Sequence, residues 1–278
     1  MTYLSSIFFS GTLGVRFFTI IASCLSLFIM WKLSTYNSQL PTDSKLTTSN
    51  ASHFSTLNST LLFFIIASSI VMFNIYGFVT TPDASLILFS ALFLLVYQRY
   101  LEQKTWPKAL LMGVFMALMV YSKYHAFLLL GLIVLSNLKL LKDGKFYVAC
   151  LVALALLVPH ILWQVNADFP SFRYHLSGRN EAFRWSYFLE YLPNQLLIFN
   201  PLTFGAVVYV LFKHKATNTF ERGLKFILVG FFVFFWLMAF RGHVEPHWTI
   251  VCVIPMVVLL YRKALIDDKL RKYIKSIC

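Results

Sequence analysis

Apolar residues in this chain gather into long unbroken runs, separated by short polar stretches. Nine runs stand out, at about 13–31, 57–76, 84–101, 107–121, 124–140, 146–163, 194–213, 222–240 and 247–262. A bilayer core of about 30 Å is crossed by roughly 17–25 helical residues, and most of these runs have that length. The fourth and ninth, at 15 and 16 residues, are shorter and are expected to sit inside a bundle or to extend past their apolar part. Lipid satisfies no open backbone groups, so runs of this kind form helices. The expected fold class is therefore all-α, a polytopic transmembrane helical bundle of about nine spans. Residues 1–262 form the membrane domain in this reading, and 263–278 a basic amphipathic tail.

Composition removes the soluble alternatives. Hydrophobic residues make up 59% of the 278 positions and charged residues 13%, against about 45–50% and about 25% in soluble domains. A soluble fold of this size lacks the interior to hide so much apolar surface. The four cysteines, Cys24, Cys150, Cys252 and the terminal Cys278, read as packing residues with no paired framework.

The formal net charge of +13 is distributed unevenly. If the spans alternate, segments 32–56, 99–108, 139–145, 213–225 and 262–278 share one side and hold 18 of the 24 Lys and Arg residues. The other side holds Arg16, Lys123, Arg173, Arg179, Arg184 and Arg241. By the positive-inside rule the basic side is cytoplasmic, with the C-terminus inside and the N-terminus outside. The excess charge then reflects topology and attraction to anionic lipid, and nucleic acid is not expected as a partner. A short outside N-terminus with no basic anchor behind it asks for one more helix upstream.

Chemistry is expected on the outer side. Asp83, Asp168, Glu181, Glu190 and Glu245 lie there with His160, His175, His243 and His247, and with His125 just inside. Few ionisable groups fall near mid-depth, where an ion-coupled transporter would place them. In Thr80-Thr81-Pro82-Asp83, Thr81 can cap the next helix, Pro82 fits its first position and Asp83 complements its dipole. The same carboxylate at a membrane–water boundary can also bind a hydroxyl or a cation, or act as a base. In Tyr121-Ser122-Lys123-Tyr124-His125, the lysine either snorkels among interfacial tyrosines or clamps a phosphate with its compact ammonium. The loop at about 164–193 carries Asp168, Arg173, His175, Arg179, Glu181 and Arg184 and then an aromatic-rich stretch that reads as a helix lying in the interface. Arg241-Gly242-His243-Val244-Glu245-Pro246-His247-Trp248 places two histidines four apart. Pro246 disrupts the helical spacing a metal site would use, so no metal is expected there.

Taken in order, Gly14-Val15-Arg16, Thr81-Pro82-Asp83, Ser122-Lys123-Tyr124, Phe169-Pro170-Ser171-Phe172-Arg173-Tyr174 and Glu245-Pro246-His247-Trp248 resemble glycosyltransferase family 39. These are the protein mannosyltransferase-like and aminoarabinose-transferase-like membrane enzymes of GT-C architecture. The likeness runs from about residue 8 to 260, in a version like a bacterial branch. It implies a multi-span enzyme of the bacterial inner (plasma) membrane. The enzyme would move a sugar from a polyprenyl-phosphate donor to a lipid, glycan or protein acceptor on the outer face. By likeness Asp83 is the catalytic carboxylate, and Lys123, Arg173 and Arg241 hold the donor phosphate. His125, Glu245, His247 and Trp248 line the outer cavity. The resemblance leaves a divalent cation as the one open cofactor. The family normally opens with a further helix and an outer loop bearing its acidic base. Here no Asp or Glu precedes Asp43, which falls on the cytoplasmic side, so the membrane domain is expected to be N-terminally incomplete. Two other readings stand beside this one. They are a non-catalytic or decayed relative that binds lipid carrier, and a transporter of lipid-linked sugars.

Overall fold

The computed structural model describes residues 11–36, 49–171, 173 and 184–277, with side chains from 16 and, in the second segment, from 58, except at 172. Among the described residues the secondary structure is helical throughout, with no strand. In chain order the helices are α1 (Gly11–Thr35), α2 (Ser49–Ser69), α3 (Val71–Tyr76), α4 (Pro82–Glu102), α5 (Trp106–Ser122) and α6 (His125–Ser136), then α7 (Gly144–Asn166), α8 (Trp185–Phe199), α9 (Pro201–Lys213), α10 (Thr219–Met238), α11 (Val253–Ile266) and α12 (Asp268–Ser276). Short 3-10 segments, Leu138–Lys142 and Pro246–Cys252, precede α7 and α11.

Each apolar run coincides with helix, but four runs are interrupted. Ile70 separates α2 from α3. The fifth run leaves α-helix after Ser136, and the ninth opens as the Pro246–Cys252 3-10 turn. The seventh run is bent by 102° between α8 and α9. Asn200 takes a positive φ of 67° at that bend, a conformation that asparagine tolerates better than most residues. Its side chain then accepts from the Leu202 N–H at 3.0 Å, while Pro201 at the first helical position has no N–H to leave unsatisfied. Length and apolar content single out four membrane-crossing helices among the described residues, or five if the bent pair counts as one span. The structure therefore supports a helical membrane bundle without establishing nine crossings.

Burial sorts the helices by solvent. The Pro246–Ile266 stretch is 89% buried and is wrapped by protein, whereas the window in α7 is 22% buried. Leu151, Leu154, Leu162 and Trp163 of α7 stay exposed, as do Leu189, Leu197 and Phe212. So much open apolar surface is at home in lipid and unstable in water. The short ninth run thus lies inside the bundle, one of the two outcomes expected of it. In the C-terminal tail Leu270 and Ile274 of α12 are buried, with α12 packed on α2, α9 and α11.

Helices α5 and α7 approach each other closely at Gly113. A Cβ at Gly113 would meet the Ala149 carbonyl oxygen at 2.4 Å and Val152 Cβ at 2.7 Å. Backbone cannot swing aside as a side chain does, so the helices would have to separate. Gly113→Val is expected to destabilise the protein by about 2–3 kcal/mol, read as a lower thermal midpoint in detergent. An unchanged midpoint would refute this packing.

At one end of the bundle Asp143 caps α7. It accepts from Tyr100 Oη at 2.9 Å, Lys104 Nζ at 2.6 Å and the Lys145 N–H at 3.1 Å. Burial alone would raise its carboxyl, but the Lys104, Tyr100 and Lys145 contacts outweigh that and hold it below the ordinary carboxylate value. Lys104 is half exposed and so adds little. Asp143→Ala is expected to lower stability by about 1–2 kcal/mol at neutral pH. A depressed folded-state pKa means this contribution is complete above the unfolded value near pH 4 and is lost as pH falls further. The gap between wild type and variant in a thermal melt should therefore close in acid.

Candidate active site

Asp83 lies in the first turn of α4, at the end opposite Asp143. Pro82 occupies the first position of the helix and Thr81 its extended N-cap. The expected hydroxyl cap is not made. Thr81 makes no side-chain cap hydrogen bond, and its Oγ1 is buried without a partner. The carboxylate of Asp83 therefore supplies the negative charge that the helix N-terminus favours.

Lys123 follows the last turn of α5, its N–H donating to the Met119 carbonyl at 3.0 Å. Two residues later α6 begins, so the tight α5–α6 turn fixes where the lysine stem starts. Its Nζ donates to Asp83 Oδ1 at 2.7 Å. The Asp83 side chain is 3% exposed and that of Lys123 19%. Removing two charges this far from water is favourable only when they are paired. On the other side of Asp83, His247 Nε2 stands 3.9 Å from Oδ2, its ring stacked on Tyr76 with centroids 5.6 Å apart.

A cavity of about 1160 Å³ opens beside this cluster, with Lys123, His125, Arg241, Glu245, His247 and Trp248 on its walls. Asp83 lies behind Lys123 and is not itself among the lining residues. His125 packs its ring against both Phe235 and Trp248, with centroids 5.1 and 5.5 Å away. Arg241, just past α10, is exposed and has no carboxylate partner among the described residues. It is therefore a cation available to an anionic ligand. The Glu245–Trp248 segment is held from behind by α8. Gln195 Nε2 donates to the Pro246 carbonyl at 3.3 Å, and Thr249 Oγ1 donates to Gln195 Oε1 at 2.5 Å.

The structure thus gathers Asp83, Lys123, His125, Arg241, Glu245, His247 and Trp248 at one place. Arg173 stands apart. It is exposed, pairs with Asp168, and does not line the cavity. His175, Arg179 and Glu181 of the same loop lie outside the described residues. Among the described residues no three carboxylate, imidazole or thiol groups converge on a metal-sized space. His243 and Glu245, 3.9 Å apart, make only a pair, so the described residues by themselves do not assemble a divalent-cation site.

A further part of the cavity lining was not assigned a role from the sequence. Tyr121, Tyr124, His160, Trp163 and Ser171 form it, with Gln164 buried behind them. A local signal was present. His160 and Gln164 are spaced i, i+4 near the end of an otherwise apolar run, so polar side chains share one helix face where lipid would reject them.

Residues 51–163 match the family described as dolichyl-phosphate-mannose-protein mannosyltransferase. No curated protein and no solved structure matches the chain. The matched stretch carries Asp83, Lys123, His125 and His160, and thus one half of the cavity described above. Over that stretch the chain is similar to glycosyltransferase family 39 membrane proteins of the GT-C type, in keeping with its helical, apolar architecture.

Proposed function

We propose that this protein moves a sugar from a polyprenyl-phosphate donor to an acceptor on the outer face of a bacterial inner membrane, with its C-terminus in the cytoplasm. The observation that carries the reading is the Lys123–Asp83 pair at the edge of a large cavity, within the family-matched stretch. The acceptor hydroxyl oxygen forms a bond to the anomeric carbon, and the bond from that carbon to the phosphate oxygen breaks. The lipid phosphate leaves with the bonding electrons, and the hydroxyl proton goes to the Asp83 carboxylate by way of the His247 imidazole. Lys123 and Arg241 are the cations that stabilise charge on the leaving phosphate. Asp83 holds Lys123 in place and reaches the cavity through His247, whose Nε2 stands 3.9 Å from Oδ2. Active-site hydrogen bonds are often this long before substrate binds. Glu245 is the second carboxylate available on the wall.

The test uses the full chain in liposomes with polyprenyl-phosphate mannose and a membrane extract as the source of acceptors. Release of polyprenyl phosphate that depends on the extract is expected. Carrier binding without release would move the protein to the carrier-binding reading. Failure to bind the carrier would overturn the proposal.

A further inference from the structure

The cavity has a second polar surface that the transfer chemistry leaves unused. On α7 the rings of His160 and Trp163 stack with centroids 5.6 Å apart and planes 24° apart. Trp163 is 52% exposed, so its indole offers open surface beside the imidazole. His160 Nε2 is taken by Tyr124 Oη at 2.7 Å. Its Nδ1 has no protein partner among the described residues and is not fully buried, in a residue that lines the cavity.

Gln164 sets this arrangement. The Ser171 N–H, which can only donate, faces Gln164 Oε1 at 3.4 Å. The amide nitrogen is thereby turned toward Tyr124 Oη and Ser171 Oγ, each at 2.6 Å. A buried amide with both ends engaged holds two hydroxyls and an imidazole at fixed positions. The surface so formed joins an exposed aromatic ring to planar and hydroxyl polar groups held in register. A pyranose has the matching chemistry, with an apolar C–H face to lie on an indole and hydroxyls that both donate and accept. Such a hydroxyl meets His160 Nδ1 in either tautomer of the ring.

We propose that this α7 wall is a pyranose-binding subsite, separate from the Asp83–Lys123 pair. The proposal deepens the transferase reading and rests on it for the source of the sugar, which is either the donor's own residue or a sugar of a glycan acceptor.

The test is a titration of the full chain in nanodiscs with methyl α-D-mannopyranoside, followed by saturation-transfer NMR. Trp163→Ala should bind about tenfold more weakly, and Trp163→Phe, which keeps a ring, within about threefold of wild type. His160→Phe keeps the stack but loses the polar nitrogen, and should weaken binding about fivefold. Trp163 is half exposed, so its two variants should keep the wild-type melting temperature. Equal binding by wild type and Trp163→Ala would make the wall an ordinary interfacial aromatic belt and overturn the proposal, as would absence of glycoside binding by wild type. The source is read by comparing affinities for polyprenyl phosphate and polyprenyl-phosphate mannose. If the wall takes the donor sugar, the gain from mannose disappears in Trp163→Ala. If it takes an acceptor sugar, the gain survives and carrier-loaded protein still binds the glycoside. Carrier binding without glycoside binding removes the subsite alone. Glycoside binding without carrier binding removes the transferase reading and leaves the subsite standing.

Discussion

Lys123→Ala is expected to reduce sugar transfer by about 100- to 1000-fold, the effect of deleting one donor to a charge that develops in the transition state. The variant also leaves Asp83 as an uncompensated carboxylate, because that side chain is 3% exposed and Lys123 is its close cationic partner at 2.7 Å. Breaking such a pair from one side destabilises a protein by about 3–5 kcal/mol, whereas replacing both partners with similar uncharged groups is often neutral. A double-mutant cycle therefore separates chemistry from scaffolding. Lys123→Met should melt early and transfer little. Asp83→Asn should transfer little because it frees the lysine and removes the carboxylate. The double variant Asp83→Asn/Lys123→Met should recover most of the stability and none of the activity. If activity returned with stability, the pair would be only structural. Turnover at the wild-type rate in either single variant would remove both residues from the site.

The second large effect is expected at the other end of the bundle. Arg262 and Glu221 pair at 2.9 Å with side chains 7% and 5% exposed. Arg262 also donates to the Leu33 carbonyl at 2.7 Å and to the Tyr36 carbonyl at 3.0 Å. These groups at the end of α1 lack intrahelical partners. Glu221 accepts in addition from the Thr217 N–H at 2.9 Å and Thr217 Oγ1 at 2.8 Å, and His214 Nε2 lies 3.1 Å away. One ion pair thus ties the end of α1, the α9–α10 turn and α11 together. Arg262→Ala should lower stability by about 3–5 kcal/mol by stranding the glutamate and the carbonyls. Arg262→Lys should recover only part of it, since a point charge cannot bridge a carboxylate and two carbonyls as the guanidinium fork does. Detergent melts of the two variants decide this. A midpoint within about 2 °C of wild type for Arg262→Ala would show the pair to be dispensable, because 1 kcal/mol shifts the midpoint of a protein of this size by about 2–4 °C.

How much of the site could be read beforehand depends on how local its signals are. Pro82 and Asp83 announce a helix start by identity and position alone, and α4 begins there. Thr81 carried the same kind of signal, yet its hydroxyl is buried without a partner. Lys123 was visible as a cation in a tight turn, but the choice between snorkelling and binding depended on a carboxylate 40 positions away. Arg173 resembled its neighbours in type and in side of the membrane, and only the path of the loop after α7 sends it to Asp168 instead of the cavity. His160 and Gln164 were outer-end or span residues of no evident use until Tyr124 and Ser171 were placed against them.

By itself the sequence determined what depends on composition and period. The helical fold class, the positions of the helices, the membrane as solvent and the gathering of basic residues in particular loops all follow from runs of apolar side chains that water rejects and lipid accepts. Tertiary structure decided what depends on long-range approach. The 102° bend at Asn200, the burial of α11, the grip of α8 on the Glu245–Trp248 segment, and the meeting of Asp83 with Lys123 and of Gln164 with Tyr124 leave no periodic trace. They arise because a buried charge or amide must find its partner wherever the packed helices bring one within about 3 Å.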